Sequence, residues 1–105
     1  MKTKKVVTID VKKWCKKTYC DHSTGKYCAL GFAVKSLNPQ CSNVDIVDLL
    51  VSDIDLINLD DVRNEENEGI ATINDDYSGE KRRKKLKELF NKAGFQLKFK
   101  NLPKR

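Results

Sequence analysis

Short apolar runs punctuated by polar turns set the pattern of this chain. Val6-Val-Thr-Ile9 is a β-branched run closed by Asp10, which predicts an opening strand. Asp10 can cap a short turn over Val11–Cys15, with Trp14 as a core anchor. Thr18–Cys20 reads as extended, Asp21–Gly25 as a turn in which Gly25 supplies positive φ, and the chain then reverses into Lys26–Cys28. From Cys28 to Leu37 almost every position is apolar and Lys35 is the only charge, the pattern of a helix buried nearly all round. Gly31 inside it points to close approach of another backbone, and Asn38-Pro39 ends it. Val44, Val47, Leu50 and Val51 predict a short amphipathic helix capped by Ser42 or Asn43.

Ser52–Asn67 mixes its periodicity and reads as a loop with one extended piece around Leu56-Ile57, and Glu68–Ile73 as a helical turn that points Ile70 and Ile73 inward. The C-terminal pattern is the clearest. Behind Ser78 as cap, Leu86, Leu89, Phe90 and Ala93 recur at helical spacing, and Gly94 supplies a left-handed stop. Phe95, Leu97 and Phe99 then alternate with Gln96, Lys98 and Lys100, a half-buried strand. The predicted architecture is a single α+β domain over residues 1–105. A small antiparallel sheet including the N- and C-terminal strands packs on the buried central helix and the C-terminal amphipathic helix.

Composition changes this picture mainly through charge. The 105 residues carry a net charge of +6, with 39% hydrophobic and 34% charged positions. Residues 1–43 hold nine Lys and two Asp, residues 44–76 eleven Asp and Glu with Arg63, and residues 77–105 eleven Lys and Arg with Glu80 and Glu88. A basic–acidic–basic order means either charge matching inside the fold or two faces of opposite sign. No apolar run approaches the roughly 20 residues of a membrane span. Met1-Lys-Thr-Lys-Lys5 has the look of a secretion-signal start, but Asp10, Lys12 and Lys13 interrupt any apolar stretch behind it. The expectation is therefore a cytoplasmic protein, in the host cell if phage-encoded, whose four cysteines are thiols.

Lys13-Trp14, the turn with Gly25, Cys28-Ala-Leu-Gly-Phe32, Ile73-Asn-Asp-Asp76, Leu89-Phe90 and Gly94 succeed one another in an order that resembles a family of small uncharacterised phage, prophage and bacterial proteins. Members of that family usually carry Cys-Cys-Leu-Gly, and the pattern is also similar to domains of unknown function that end in a Trp-Asn-Asp box. Ala29 stands where the second family cysteine would be. The resemblance implies fold and mobile-element origin, with Trp14, Cys28, Leu30, Gly31, Phe32, Asn74, Asp75 and Asp76 as its structural motif. It implies no activity.

Candidate chemistry is sparse. Zinc would have to use Cys15-x4-Cys20-x7-Cys28-x12-Cys41 with His22, yet only Cys15 and Cys20 approach the close spacing that lets two thiolates fold round one ion. A cysteine enzyme would need Cys28 as a thiolate at a helix N-terminus and His22, the only histidine, as its base. Tyr27 and Ala29 beside Cys28 read instead as core packing. Asn74-Asp75-Asp76 could hold Mg²⁺ or Ca²⁺, but the EF-hand spacing is absent and the residues suit a turn before the last helix, with Asn74 tying it to another loop. No metal, cofactor or catalytic residue is expected.

Lys81-Arg82-Arg83-Lys84-Lys85 is the unexplained feature. It occupies the first turns of a helix, where the macrodipole disfavours exposed cations by about 0.3–1 kcal/mol each. Nearby acids must offset it, or an anionic partner such as nucleic acid, whose binding would be sequence-independent and salt-sensitive. The expected function is a non-enzymatic accessory protein that binds a macromolecular partner. That partner is a host protein met through Asp45–Glu68, as for an inhibitor of host defence, or nucleic acid met through Lys81–Lys85.

Overall fold

The β-branched run Val6–Ile9 and the alternating Phe95–Phe99 become neighbouring strands. In the computed structural model, which describes residues 5–15, 20–21, 25–42 and 45–102, the chain runs β1 (Lys5–Asp10), β2 (Cys20–Asp21), β3 (Lys26–Tyr27), α1 (Ala29–Leu37), α2 (Ile46–Ser52), α3 (Ile54–Asp61), α4 (Ile70–Asp76), α5 (Gly79–Lys92) and β4 (Phe95–Lys100). The expected extended residues Thr18 and Tyr19, the turn residues His22–Thr24, the cap candidate Asn43 and Val44 lie outside the described residues.

β1 and β4 are parallel, with Val7 opposite Leu97 and Ile9 opposite Phe99. This corrects the antiparallel sheet expected from the sequence. Parallel pairing needs a long crossover, and here the whole helical body lies between the two strands. The direction of β4 is set locally, by the reversal at Gly94 (φ +90°) after α5. The antiparallel ladder in the fold is the small β2–β3 hairpin, Cys20 opposite Tyr27, with Gly25 at φ +68°. It is tied to the chain ahead of it by a Trp14–Tyr27 bridge, in which the Cys15 N–H donates to the Tyr27 carbonyl at 2.9 Å.

One face of the β1–β4 pair is apolar and buried (Val7, Ile9, Phe95, Leu97), and α5 packs there through Leu86, Leu89 and Phe90. The Phe90 and Phe95 rings meet edge-on at 6.2 Å. α1 is buried from Ala29 through Val34, as its continuous apolar pattern demands. It packs on β1, where Ser36 Oγ accepts the Thr8 N–H at 3.2 Å.

The acidic middle is helical, which corrects two expectations. Ser52–Asn67 is not mainly loop, and Leu56-Ile57 is not extended: Asp53 caps α3 by accepting from the Asp55 and Leu56 amides at 3.0 and 3.4 Å, and Leu56 and Leu59 are fully buried. α2 buries Ile46 and Leu50 and leaves Val47 and Val51 exposed. The apolar stripe of that helix is thus rotated by one position from the expected one. The Glu68–Ile73 expectation holds in substance, since α4 begins at Ile70 and buries both Ile70 and Ile73. Ser78 does precede α5, but its side chain makes no capping hydrogen bond.

Candidate functional site

Asn74 is the polar centre of the core. The sequence places it in a turn; it lies instead in the last turn of α4 and is 0% exposed. Its Oδ1 accepts from the Trp14 indole Nε1 at 2.5 Å and from the Ala29 N–H at 2.9 Å, and its Nδ2 donates to the Cys15 carbonyl at 3.0 Å. One carboxamide thus satisfies the first amide of α1, which Cys28 leaves uncapped, and fixes the Trp14–Cys15 segment against α1 and α4. Nδ2 also donates to Asp75 Oδ1 at 3.1 Å, whereas Asp76 faces solvent. The expected tie between Asn74 and another loop is therefore present, made from a helix.

Trp14, Cys28, Leu30, Gly31 and Phe32 are all buried around this centre. Phe32 stacks edge-on against Tyr27 at 5.4 Å, and Trp14 lies 5.7 Å from Phe99. Burial pushes the Cys28 thiol up to about 11, the opposite of the lowered value a nucleophilic thiolate requires. Cys28 and Cys41 are free thiols. Among the described residues no three His, Cys, Asp or Glu side chains group so as to hold a metal ion.

The basic run does not stand free as a unit. The Arg82 guanidinium lies over the Trp14 ring at 3.5 Å, and its Nη1 donates to the Asn74 carbonyl at 3.3 Å. Burial lowers its pKa, and the neighbouring Arg83 adds to that effect. Lys85 sits 4.7 Å from the Tyr77 ring, 3.3 Å from Glu68 and 3.7 Å from Glu66, and Lys81 is 5.2 Å from the same ring. Stacking and ion pairing inside the fold thus offset the macrodipole for part of the run. Arg83 is half-buried and Lys84 exposed.

Glu68 anchors the other side of this arrangement. The Tyr77 hydroxyl donates to it at 2.5 Å and Asn64 Nδ2 at 2.9 Å. Those bonds, with Lys85 alongside, hold its carboxyl at about 2, against an ordinary value of 4.5. A lowered folded-state pKa contributes stability that is complete above about pH 4.5 and lost as pH falls through about 2. Thermal unfolding of Glu68→Gln against wild type should therefore show a Tm gap that is widest above pH 5 and closes toward pH 2. A gap that stays constant with pH would mean the carboxylate charge contributes nothing.

The acidic segment presents a different surface. Val47 (52% exposed) and Val51 (72%) stand one helical turn apart on α2, and Ile54 (66%) opens α3 directly behind them. Asp45 and Asp48 are exposed beside this strip, and Asp53 and Asp55 are half-buried. An open groove lies between the end of α1 and α2, lined by Leu37, Pro39, Cys41, Asp45, Asp48 and Leu49. Charge matching accounts for only some of the acids: Asp55 pairs with Lys5, and Glu66 and Glu68 with Lys85, while Asp48, Asp60 and Asp61 have no ion-pair partner among the described residues. Sequence reasoning missed the strip because it turned Val47 and Val51 inward. The available signal was the excess of apolar residues in Ile46–Val51, five of six, more than one buried face of a short helix can use.

No protein-family model, curated protein or solved structure matches this chain. Among the described residues no helix is long and apolar enough to cross a membrane.

Proposed function

We propose that this chain is a non-enzymatic accessory protein that works by binding another protein through the α2–α3 surface. The observation that carries the reading is the exposure of Val47, Val51 and Ile54 together within an acidic surround. Large apolar side chains left in water at one place, rimmed mainly by carboxylates, suit a partner surface that is apolar at its centre and basic at its edge. The buried, proton-holding Cys28 thiol supports the non-enzymatic part. The engagement of Arg82 and Lys85 inside the fold favours the acidic surface over the basic run as the contact face. The resemblance carried by Cys28–Phe32 and Ile73–Asp76 supports a phage or mobile-element origin, and so a partner in the cytoplasm of a bacterial host.

Photocrosslinking tests this reading. A crosslinking amino acid placed at Val51 in bacterial lysate should capture a discrete protein, and Ile54→Glu should reduce that capture at least about tenfold without lowering Tm. Nuclease-sensitive capture from position 84, with none from position 51, would transfer the contact to nucleic acid and overturn the proposal.

A further inference from the structure

The β1–β4 pair has two outer edges, and they are not equivalent. In a parallel ladder the N–H and C=O of one residue point to the same side, alternating along the strand. Thr8 turns its N–H outward to Ser36 Oγ on α1, so the outer edge of β1 is covered there. By the same alternation Val7 and Ile9 bond toward β4, and their ladder partners are Gln96, Lys98 and Lys100. Phe95, Leu97 and Phe99 are left to direct their main-chain groups away from β1. No other strand pairs with β4 among the described residues, and no further backbone hydrogen bond reaches Phe95–Lys100 there. An open groove runs beside this edge, lined by Lys87, Glu88 and Asn91 of α5 and by Phe95, Gln96 and Leu97.

Charge selects what this edge can accept. Lys98 and Lys100 are exposed on the strand, and Lys87 lies beside it with its Nζ 5.7 Å from the Phe99 ring; Glu88 is an acid at the rim, and Asp10 stands opposite Lys100 on the far side of the ladder. Pairing with a second β4 would bring another Lys98 and Lys100 onto the same face, and like charges on adjoining strands repel. An extended segment with Glu or Asp at alternate positions instead sets carboxylates against these lysines while its backbone takes up the free N–H and C=O groups. We infer that the free edge of β4 is a docking site for an extended acidic peptide segment, which joins the sheet as a third strand. This site lies apart from the α2–α3 surface and takes a partner of opposite charge.

The probe is a labelled six-residue peptide of alternating Glu and Val, acetylated and amidated. On binding, amide exchange at Phe95, Leu97 and Phe99, monitored by NMR, should slow at least about tenfold, while amides of α2 and α3 are unaffected. Lys98→Glu/Lys100→Glu should weaken binding about tenfold or more with an unchanged Tm. On the wild-type protein, a peptide with proline at two adjacent central positions, one Glu and one Val, should bind equally weakly, since in either strand direction one of the two loses a main-chain donor to β4. Three results would each overturn the inference: no added protection at these amides, undiminished binding of the proline peptide, or a single-stranded oligonucleotide matching the acidic peptide in affinity. Protection that appears with protein concentration alone would assign the edge to a second copy and overturn it too.

Discussion

Asn74→Ala should lower the stability of this protein by about 3–5 kcal/mol, because it strands two buried donors and breaks a third, part-buried bond at once. The Trp14 indole N–H and the Ala29 N–H each lose their partner in a site the wild type closes to solvent, and the half-buried Cys15 carbonyl loses its bond to the carboxamide. Alanine supplies neither donor nor acceptor, and a buried polar group without a partner costs about 1–3 kcal/mol. Those costs do not simply add, since the vacated volume can relax or admit water. For a domain of about this size the loss corresponds to a fall in Tm of at least about 12 °C. Differential scanning calorimetry checks it, and a variant within about 3 °C of wild type would show that Asn74 is not the centre of the core.

A double-mutant cycle separates the bond from the burial. Trp14→Phe removes the indole donor together with part of the surface on which Arg82 stacks. If the Trp14–Asn74 bond is intact in solution, the double variant should be less destabilised than the sum of the singles by about 1 kcal/mol or more. Strict additivity would mean the two side chains act independently.

How much of this was legible in the sequence depended on whether one pattern dominated its window. α5 and β4 were legible because Leu86, Leu89 and Phe90 share one face, Gly94 ends the helix and Phe95–Phe99 alternates. α1 was legible because its burial is nearly continuous. Strand direction was not, because alternation marks a half-buried strand without saying which way its neighbour runs. α3 was missed because many acids obscured the Leu56 and Leu59 spacing, although Asp53 offered a capping signal. The role of Asn74 was half legible. Asx residues suggest local turns, and only the fold shows that its partners lie 45 to 60 residues away.

The charge order becomes intelligible once those elements are placed. The basic ends supply Lys98 and Lys100 on β4 and the stacked Arg82 of α5, and the acidic middle supplies α2 and α3. Internal pairing through Lys5–Asp55 and Lys85–Glu68 neutralises only part of each set. What remains lies on separate elements with opposite sign, so salt should weaken contacts at both faces while leaving the apolar core unaffected.

Phe90→Ala is the second change expected to have a large effect, at about 3–5 kcal/mol. Phe90 heads the fully buried side chains in volume, and its ring lies edge-on against Phe95, joining α5 to the first residue of β4. Truncation leaves a cavity at that junction, and the total stability of a domain is only about 5–15 kcal/mol. The loss is therefore a large fraction of that total, seen as a lowered urea midpoint with an unchanged m-value. Phe90→Leu keeps much of the volume and should cost roughly half as much or less. The pair also probes the free edge of β4. If that edge must be held rigid to accept a strand, Phe90→Leu should retain acidic-peptide binding in proportion to its folded fraction, and Phe90→Ala should lose it with the fold. Full stability in Phe90→Ala would show that α5 does not pack on the sheet through this ring.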